Sequence, residues 1–415
     1  MRQSANARTT EDAMDADSGG VPMPRTAGAD DGRPDDGRKD KELVFFCPDV
    51  TDAPSLKRVQ QFLDHDYRVT VFGFRRDRFN SDYEPAWPHV MLGTTVDGRY
   101  GQRLRALLGA IPVVFAYRRI FKCATAFYAR NVDQLLLALF ARLVSGRRIP
   151  VTYEVLDIPP ILMRRGFAAA FVRAIERFCL RRIQMLVLSS PGFHRGYYSA
   201  IQNYRGDWFL LENKLHPSIA RTGTKAPPPA PNPRKWVIGY FGLIRGDATF
   251  ELMTRLAKRL GDQVEFRFRG VLTTVTQAAF DEGLRRCPNI TYGGPYVPYQ
   301  DLEAIYGEVD FAWALDLEHT DHNSRWLLPC RFYEAGYFGV PCLAVRGFEV
   351  GSLVERHRIG WTFDEPLEEV LVRFFERLSR PDYDQVRRRL RTVPRSMFVA
   401  GADVSQLCAR LERAA

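Results

Sequence analysis

The chain of 415 residues is 46% apolar and carries a formal net charge of +10 at pH 7. That is enough apolar side chain for two hydrophobic cores, which excludes a small binding module. The basic balance favours an anionic partner without choosing among nucleic acid, a membrane surface and a phosphorylated ligand.

Residues 1–40 combine Gly, Asp, Pro and Arg with almost no large apolar side chains and are expected to form a disordered N-terminal tail. This start lacks the apolar core of a signal peptide, and no later run reaches the roughly 18 uninterrupted apolar residues of a membrane span. A cytoplasmic location is therefore expected. The seven cysteines, Cys47, Cys123, Cys179, Cys287, Cys330, Cys342 and Cys408, are scattered without a CxxC pair, so they read as thiols of a reducing compartment. No metal site is expected.

From residue 41 the pattern changes to short apolar runs separated by helical segments. LVFFCPD (43–49), YRVTVFGF (67–74), TAFYAR (125–130), IPVTYEV (149–155) and MLVLSS (185–190) predict strands. The rhythm is that of a parallel sheet covered by helices, over an N-terminal domain of residues 41–221. A proline-rich linker follows at 222–234. A second series, over residues 235–385, predicts strands at 236–242, 264–270, 310–315, 341–345 and 360–363, with helices near 247–260, 274–286, 299–307 and 330–338. The fold class is α/β with two Rossmann-like domains, and residues 386–415 form a C-terminal helical segment able to pack back on the N-terminal domain.

Such domains bind ligands beyond the carboxyl ends of their strands. In the second domain this points to GYFGLIRGD (239–247), where Gly242 lets backbone approach a phosphate and Arg245 supplies charge before a helix start. The stretch is neither GxGxxG nor a P-loop, and an ordinary exposed arginine at a helix start fits it as well. In LLPCRFYEAGYFGVPCLA (327–344), Glu334 lies near the front of a short helix, where a carboxylate can accept two ribose hydroxyls while Arg331 meets phosphate or orients the helix. The alternative is a surface Glu334 on a helix packed by its aromatic residues.

Taken in order, FYARNVD (127–133), TYEVLDIPP (152–160), GYFGLIRGD and LLPCRFYEAGYFGVPCLA resemble the GT-B glycosyltransferases of the broad family-4-like group used in bacterial exopolysaccharide assembly. The resemblance spans roughly residues 42–390. It implies an N-terminal acceptor domain and a C-terminal nucleotide-sugar domain facing an interdomain cleft, retaining hexosyl transfer, and no cofactor or metal beyond the donor, a UDP-sugar. The implied acceptor is a lipid-linked saccharide. It assigns Glu334 to the donor ribose and Arg245 to its diphosphate, with Gly242 and Arg331 as neighbours. Two positions depart from the family pattern. Trp326 stands where relatives carry an acidic residue, and Leu156 where they carry His. Glu154 and Asp157 are the candidate catalytic residues, orienting the acceptor or stabilising changing charge; alternation along a strand could instead set Glu154 on a solvated face. Asn131 and Asp133 are further acceptor-side candidates, with capping and turn formation as the alternatives.

Histidines add little: His194 follows a strand, and His319 and His322 bracket a polar loop without a closed ligand set. Arginines interleave with apolar residues at 99–108, 117–122 and 163–182. Helical periodicity over 166–182 sets Phe167, Phe171, Ala174 and Phe178 on one side and exposes Arg173, Arg177 and Arg181. This reads either as a helix with a basic outer face or as a contact with an anionic membrane surface, peripheral on the cytoplasmic face of the inner membrane. No zinc finger, KH loop or RRM aromatic pair is present, so nucleic acid is not expected as a partner. A noncatalytic sugar-binding or scaffold protein is the alternative to an enzyme.

Overall fold

The computed structural model describes residues 41–76, 84–95, 100–219, 235–297 and 300–414. The expected tail (1–40) and linker (222–234) lie outside the described residues.

The N-terminal half is built on a seven-stranded parallel sheet. Its strands are β1 (Glu42–Cys47), β2 (Arg68–Arg76), β3 (His89–Thr95), β4 (Ala126–Arg130), β5 (Val151–Val155), β6 (Met185–Leu188) and β7 (Trp208–Leu210), in the order β3-β2-β1-β4-β5-β6-β7. The second sheet has six parallel strands, β8 (Trp236–Ile244), β9 (Val264–Leu272), β10 (Ile290–Tyr292), β11 (Phe311–Trp313), β12 (Cys342–Val345) and β13 (Gly360–Phe363), ordered β10-β9-β8-β11-β12-β13. In both sheets the order reverses beside the first strand, which opens a crevice at the carboxyl ends. The two Rossmann-like α/β units expected from the sequence are present.

Every run predicted as a strand forms one. Leu43 to Cys47 are buried on both faces of β1, as a strand covered by helices on each side requires. Strands β3 and β10 carry no comparable apolar run and exist because a neighbouring strand offers an edge, whereas β7 is a short apolar run; HVMLGTT of β3, for example, alternates between buried and exposed residues against β2.

In the N-terminal half, α1 (Ala53–Leu63) follows β1, starting at Asp52, whose side chain accepts the Ser55 amide at 2.6 Å. Helices α2 (Tyr100–Ala116), α3 (Arg118–Cys123), α4 (Val132–Ser145), α5 (Pro160–Met163) and α6 (Phe167–Leu180) follow in the same half. The second half places α7 (Asp247–Leu260) after β8 and α8 (Cys330–Phe338) between β11 and β12. Helix α8 stops at Gly339, whose φ of 74° is the left-handed C-terminal cap glycine favours. The last helix, α9 (Ala402–Ala414), returns to the first half: Val404, Leu407, Cys408 and Leu411 share a core with Phe45 and Phe62.

The orientation of α6 reverses the sequence expectation. Phe167, Phe171, Ala174 and Phe178 face solvent, whereas Arg173 and Arg177 turn inward. Arg173 donates at 2.9 Å to the carbonyls of Leu162 and Arg164, and Arg177 to that of Ile201 at 3.2 Å. The reason is the buried Glu176, which accepts hydrogen bonds from Tyr153, Tyr197, Tyr198 and Gln202 and thereby fixes which side of α6 lies against the sheet.

Candidate active site

The loops leaving the carboxyl ends of both sheets meet. Asp157, two residues beyond β5, accepts a hydrogen bond from Asn323 Nδ2 at 3.2 Å, and Asn323 Oδ1 accepts the Ile158 amide at 3.0 Å. Asn323 therefore joins the loop after β11 to the loop after β5. Asp157 is exposed, yet the protein around it costs it hydration and raises its carboxyl above the ordinary range against the pull of Arg245 and Asn323.

Arg245 stands at the end of β8, before Gly246 and the first turn of α7. Its Nη2 donates to Asp316 Oδ2 at 2.6 Å, and its Nε lies 3.4 Å from Glu318. Burial alone would weaken the guanidinium's hold on its proton, but Asp316 and Asp157 outweigh it and raise its pKa. The same contact works on Asp316, where burial is overcome by Arg245 and the carboxyl falls below its usual range.

Gly242 has a φ of 107°, which side chains other than hydrogen rarely tolerate. It is paired with Gly270 across β8 and β9, where a Cβ on Gly270 would stand 1.9 Å from the Gly242 carbonyl oxygen. The backbone here is consequently bare, with the Tyr296 hydroxyl as the nearest side-chain atom to a Cβ built on Gly242.

Glu334 and Arg331 sit one turn apart at the front of α8, pointing to different neighbours. Glu334 Oε2 accepts the Tyr306 hydroxyl at 2.9 Å and is half-buried; burial raises its carboxyl, with Tyr306, Arg331 and Lys57 opposing. Arg331 lies 4.1 Å over the Tyr240 ring and donates to the Trp313 carbonyl at 3.2 Å, so part of its function is to seat α8 on β8 and β11. Tyr306, Tyr296, Asp316 and Lys57 were not singled out from sequence. Asp316 alone had a signal, lying directly after a predicted strand, where ligand-facing residues collect. Lys57, from α1, donates to the Lys214 carbonyl at 2.8 Å and to Asn213, while Asn213 Nδ2 reaches Cys330 Sγ at 2.9 Å. Burial lowers the Lys57 ammonium to about 8, so it holds its proton only weakly.

Glu154 does not reach the crevice, and the solvated-strand alternative fails as well. It is fully buried on β5, with Oε1 taken by Arg58 at 2.6 Å and Oε2 by Arg130 at 3.0 Å. Burial would raise its pKa, yet the two guanidinium groups hold it at about 2. No contact with a substrate is open to it in this arrangement; it ties α1 to β4 and β5. The expected grouping is thus divided: Asp157 and Arg245 lie near each other where the two halves meet, Gly242, Arg331 and Glu334 lie on β8 and α8 of the second half, and Glu154 is sealed inside the first.

Trp326 has a packing role. A Cβ on Gly196 would stand 2.2 Å from its ring and one on Gly192 2.9 Å from its backbone, and the Ser190 hydroxyl donates to its carbonyl. The indole therefore fills a notch that two glycines leave open in the first half. Of the other polar candidates, Asp133 pairs with Arg103 at 2.7 Å, Asn131 precedes α4 without a side-chain cap bond, and His194 stacks on Trp208. His322 bonds Asp321, and among the described residues no three His, Cys, Asp or Glu side chains group as a metal site.

No protein-family model matches the chain. The succinoglycan biosynthesis protein ExoL of Rhizobium meliloti (strain 1021) is 30% identical over 326 residues, covering 77% of this chain and 80% of ExoL. Among solved structures, sucrose-phosphate synthase from Thermosynechococcus elongatus superposes with a TM-score of 0.66 at 12% identity, over 90% of this chain and 100% of that one. Anabaena Alr3699/HepE in complex with UDP and glucose superposes with a TM-score of 0.63 at 13% identity, over 90% and 100% of the two chains.

Proposed function

The chain belongs to the family of the Rhizobium meliloti succinoglycan biosynthesis protein ExoL and has the GT-B glycosyltransferase fold, and from that premise we propose that it moves a hexose from a UDP-sugar to a lipid-linked saccharide in exopolysaccharide assembly. The observation that carries this reading is the convergence of Asp157 from one half with Arg245 and Asn323 from the other, beside the bare Gly242 backbone. HepE, with the same fold, is known with UDP and glucose, which supports a uridine diphosphate donor here.

In this proposal the diphosphate lies between Gly242 and the start of α7, where amides and Arg245 oppose the negative charge that grows as the leaving group departs. Asp316 and Glu318 hold the Arg245 guanidinium in place. Glu334 receives ribose hydroxyls in place of the Tyr306 hydroxyl, and Arg331 keeps α8 at the distance this requires. Asp157 faces the acceptor side, where a carboxylate can hold an acceptor hydroxyl by a hydrogen bond. Transfer is retaining, no metal enters, and the protein works at the cytoplasmic face of the inner membrane. No described helix is long and apolar enough to cross a membrane.

The test is a panel of nucleotide sugars offered with membrane-extracted lipid acceptors, read by product mass and anomeric analysis. One hexose increment from a UDP-sugar, with the donor's anomeric configuration preserved, is the expected result. Folded protein that binds UDP-glucose yet gives no increment across the panel would favour a noncatalytic sugar-binding protein.

A further inference from the structure

Helices α2, α4 and α6 lie side by side on one face of the N-terminal sheet, α2 against α4 and α4 against α6. Their inner sides are ordinary core: Val114, Leu135, Ala138 and Cys179 are fully buried. Their outer sides are not ordinary surface. On α6, Phe167 is 98% exposed and Phe171 67%, with Phe178 two turns further along the same face. On α2, Leu104, Leu108 and Phe115 stand out to solvent, and on α4 Leu143 is 75% exposed. Single exposed apolar residues need no explanation, but aromatic and aliphatic side chains on three adjacent helices do.

Charge on the same layer has one sign. Arg105, Arg119, Arg147, Arg148, Arg164 and Arg165 are exposed on α2, on the neighbouring α3, after α4 and before α6. The acidic residues between Tyr100 and Arg182 are Asp133, Glu154, Asp157 and Glu176. Glu154 and Glu176 are buried, Asp133 is paired with Arg103, and Asp157 belongs to the crevice. Guanidinium groups also cover two of the exposed rings, Arg182 at 3.4 Å from the Phe178 centroid and Arg118 at 4.8 Å from that of Phe115. Such pairs set an apolar ring and a cation at one level, as an interface between hydrocarbon and phosphate requires.

The geometry points to this three-helix face as a docking surface for an anionic lipid bilayer, with Phe167 and Phe171 entering the acyl boundary and the surrounding arginines meeting phosphate headgroups. The charge complementarity selects the occupant. A second copy of the chain would bring the same positive face against it, whereas an anionic leaflet neutralises it. The inward turn of Arg173 and Arg177 excludes them from this contact. Vesicle binding reads the surface without sugar transfer, so its failure and the failure of the transfer reading are distinguishable.

The experiment is cosedimentation of the full chain with vesicles of phosphatidylglycerol and phosphatidylcholine, compared with phosphatidylcholine alone, at low and high salt. Binding should require phosphatidylglycerol and weaken with salt. The double variant Phe167→Ser/Phe171→Ser touches no core contact, so its thermal midpoint should be unchanged while vesicle affinity drops by about tenfold or more. Arg164→Glu/Arg165→Glu should weaken binding to phosphatidylglycerol vesicles in the same assay. Undiminished binding by the phenylalanine variant overturns the proposal. So does a wild-type chain that ignores vesicles but forms dimers that this variant abolishes, since the face would then serve self-association.

Discussion

Replacing Glu154 with Gln removes one negative charge from between Arg58 and Arg130, both of which are only 3% exposed. The carboxyl is held at about 2 in the folded protein against an ordinary 4.5. A displacement of that size corresponds to about 3 kcal/mol of folding stability at neutral pH. Truncating one member of a buried ion network costs a similar amount, about 3–5 kcal/mol, because its partners remain buried without compensation. For a domain of this size each kcal/mol moves the thermal midpoint by about 2–4 °C, so Glu154→Gln should lower it by roughly 6–12 °C. The sign with pH follows from a depressed folded pKa. The contribution is complete above about 4.5 and is lost as pH falls from there towards 2. Differential scanning fluorimetry of wild type and variant between pH 3 and 8 would measure it. The gap between the two should narrow in acid, and UDP-glucose affinity at a temperature where both are folded should be unchanged. A variant that keeps its thermal midpoint but loses sugar transfer would refute the structural assignment and return Glu154 to the reacting site.

Three further expectations concern other parts of the molecule. Glu334→Gln keeps the side-chain volume and the Tyr306 contact but loses charge-assisted bonds to a ribose, so calorimetry should find UDP-glucose bound about tenfold more weakly with the fold unchanged. Gly196→Ala places a Cβ 2.2 Å from the Trp326 ring and should cost about 1–3 kcal/mol in denaturant unfolding; pairing it with Trp326→Ala should recover part of that loss. Arg173→Ala frees the Leu162 and Arg164 carbonyls and should lower stability by about 1–2 kcal/mol by the same measurement, while leaving vesicle binding at the wild-type level.

Periodicity and strand-end rules carried far in this chain because the central strands of a covered parallel sheet are apolar throughout and announce themselves locally. β1, β6, β8 and β12 are of this kind, and Gly242, Arg245 and Glu334 stand out as candidates because each lies at the end of such a strand or on the helix that leads into one. What periodicity leaves undetermined is which of two faces turns inward. For α6, both the phenylalanine side and the arginine side have helical spacing, and burying the phenylalanines is the natural expectation from hydrophobicity. The tertiary structure chose otherwise because Glu176 had to meet Tyr153 on β5 and the adjacent Tyr197 and Tyr198 after β6, a group visible only once β5, α6 and the turn after β6 are packed together. Glu154 is the same lesson in an acidic residue. A carboxylate three residues from Asp157 looks like its partner, but alternation along β5 sends it towards Arg58 on a helix 96 positions away, and only that contact decides between a site residue and a buried ion network. Sequence by itself therefore determined the covered central strands and their order along the chain, and with them the strand ends from which candidates were drawn. The directions in which charged side chains point were set by long-range pairing, because a buried charge takes its position from its nearest partner in space.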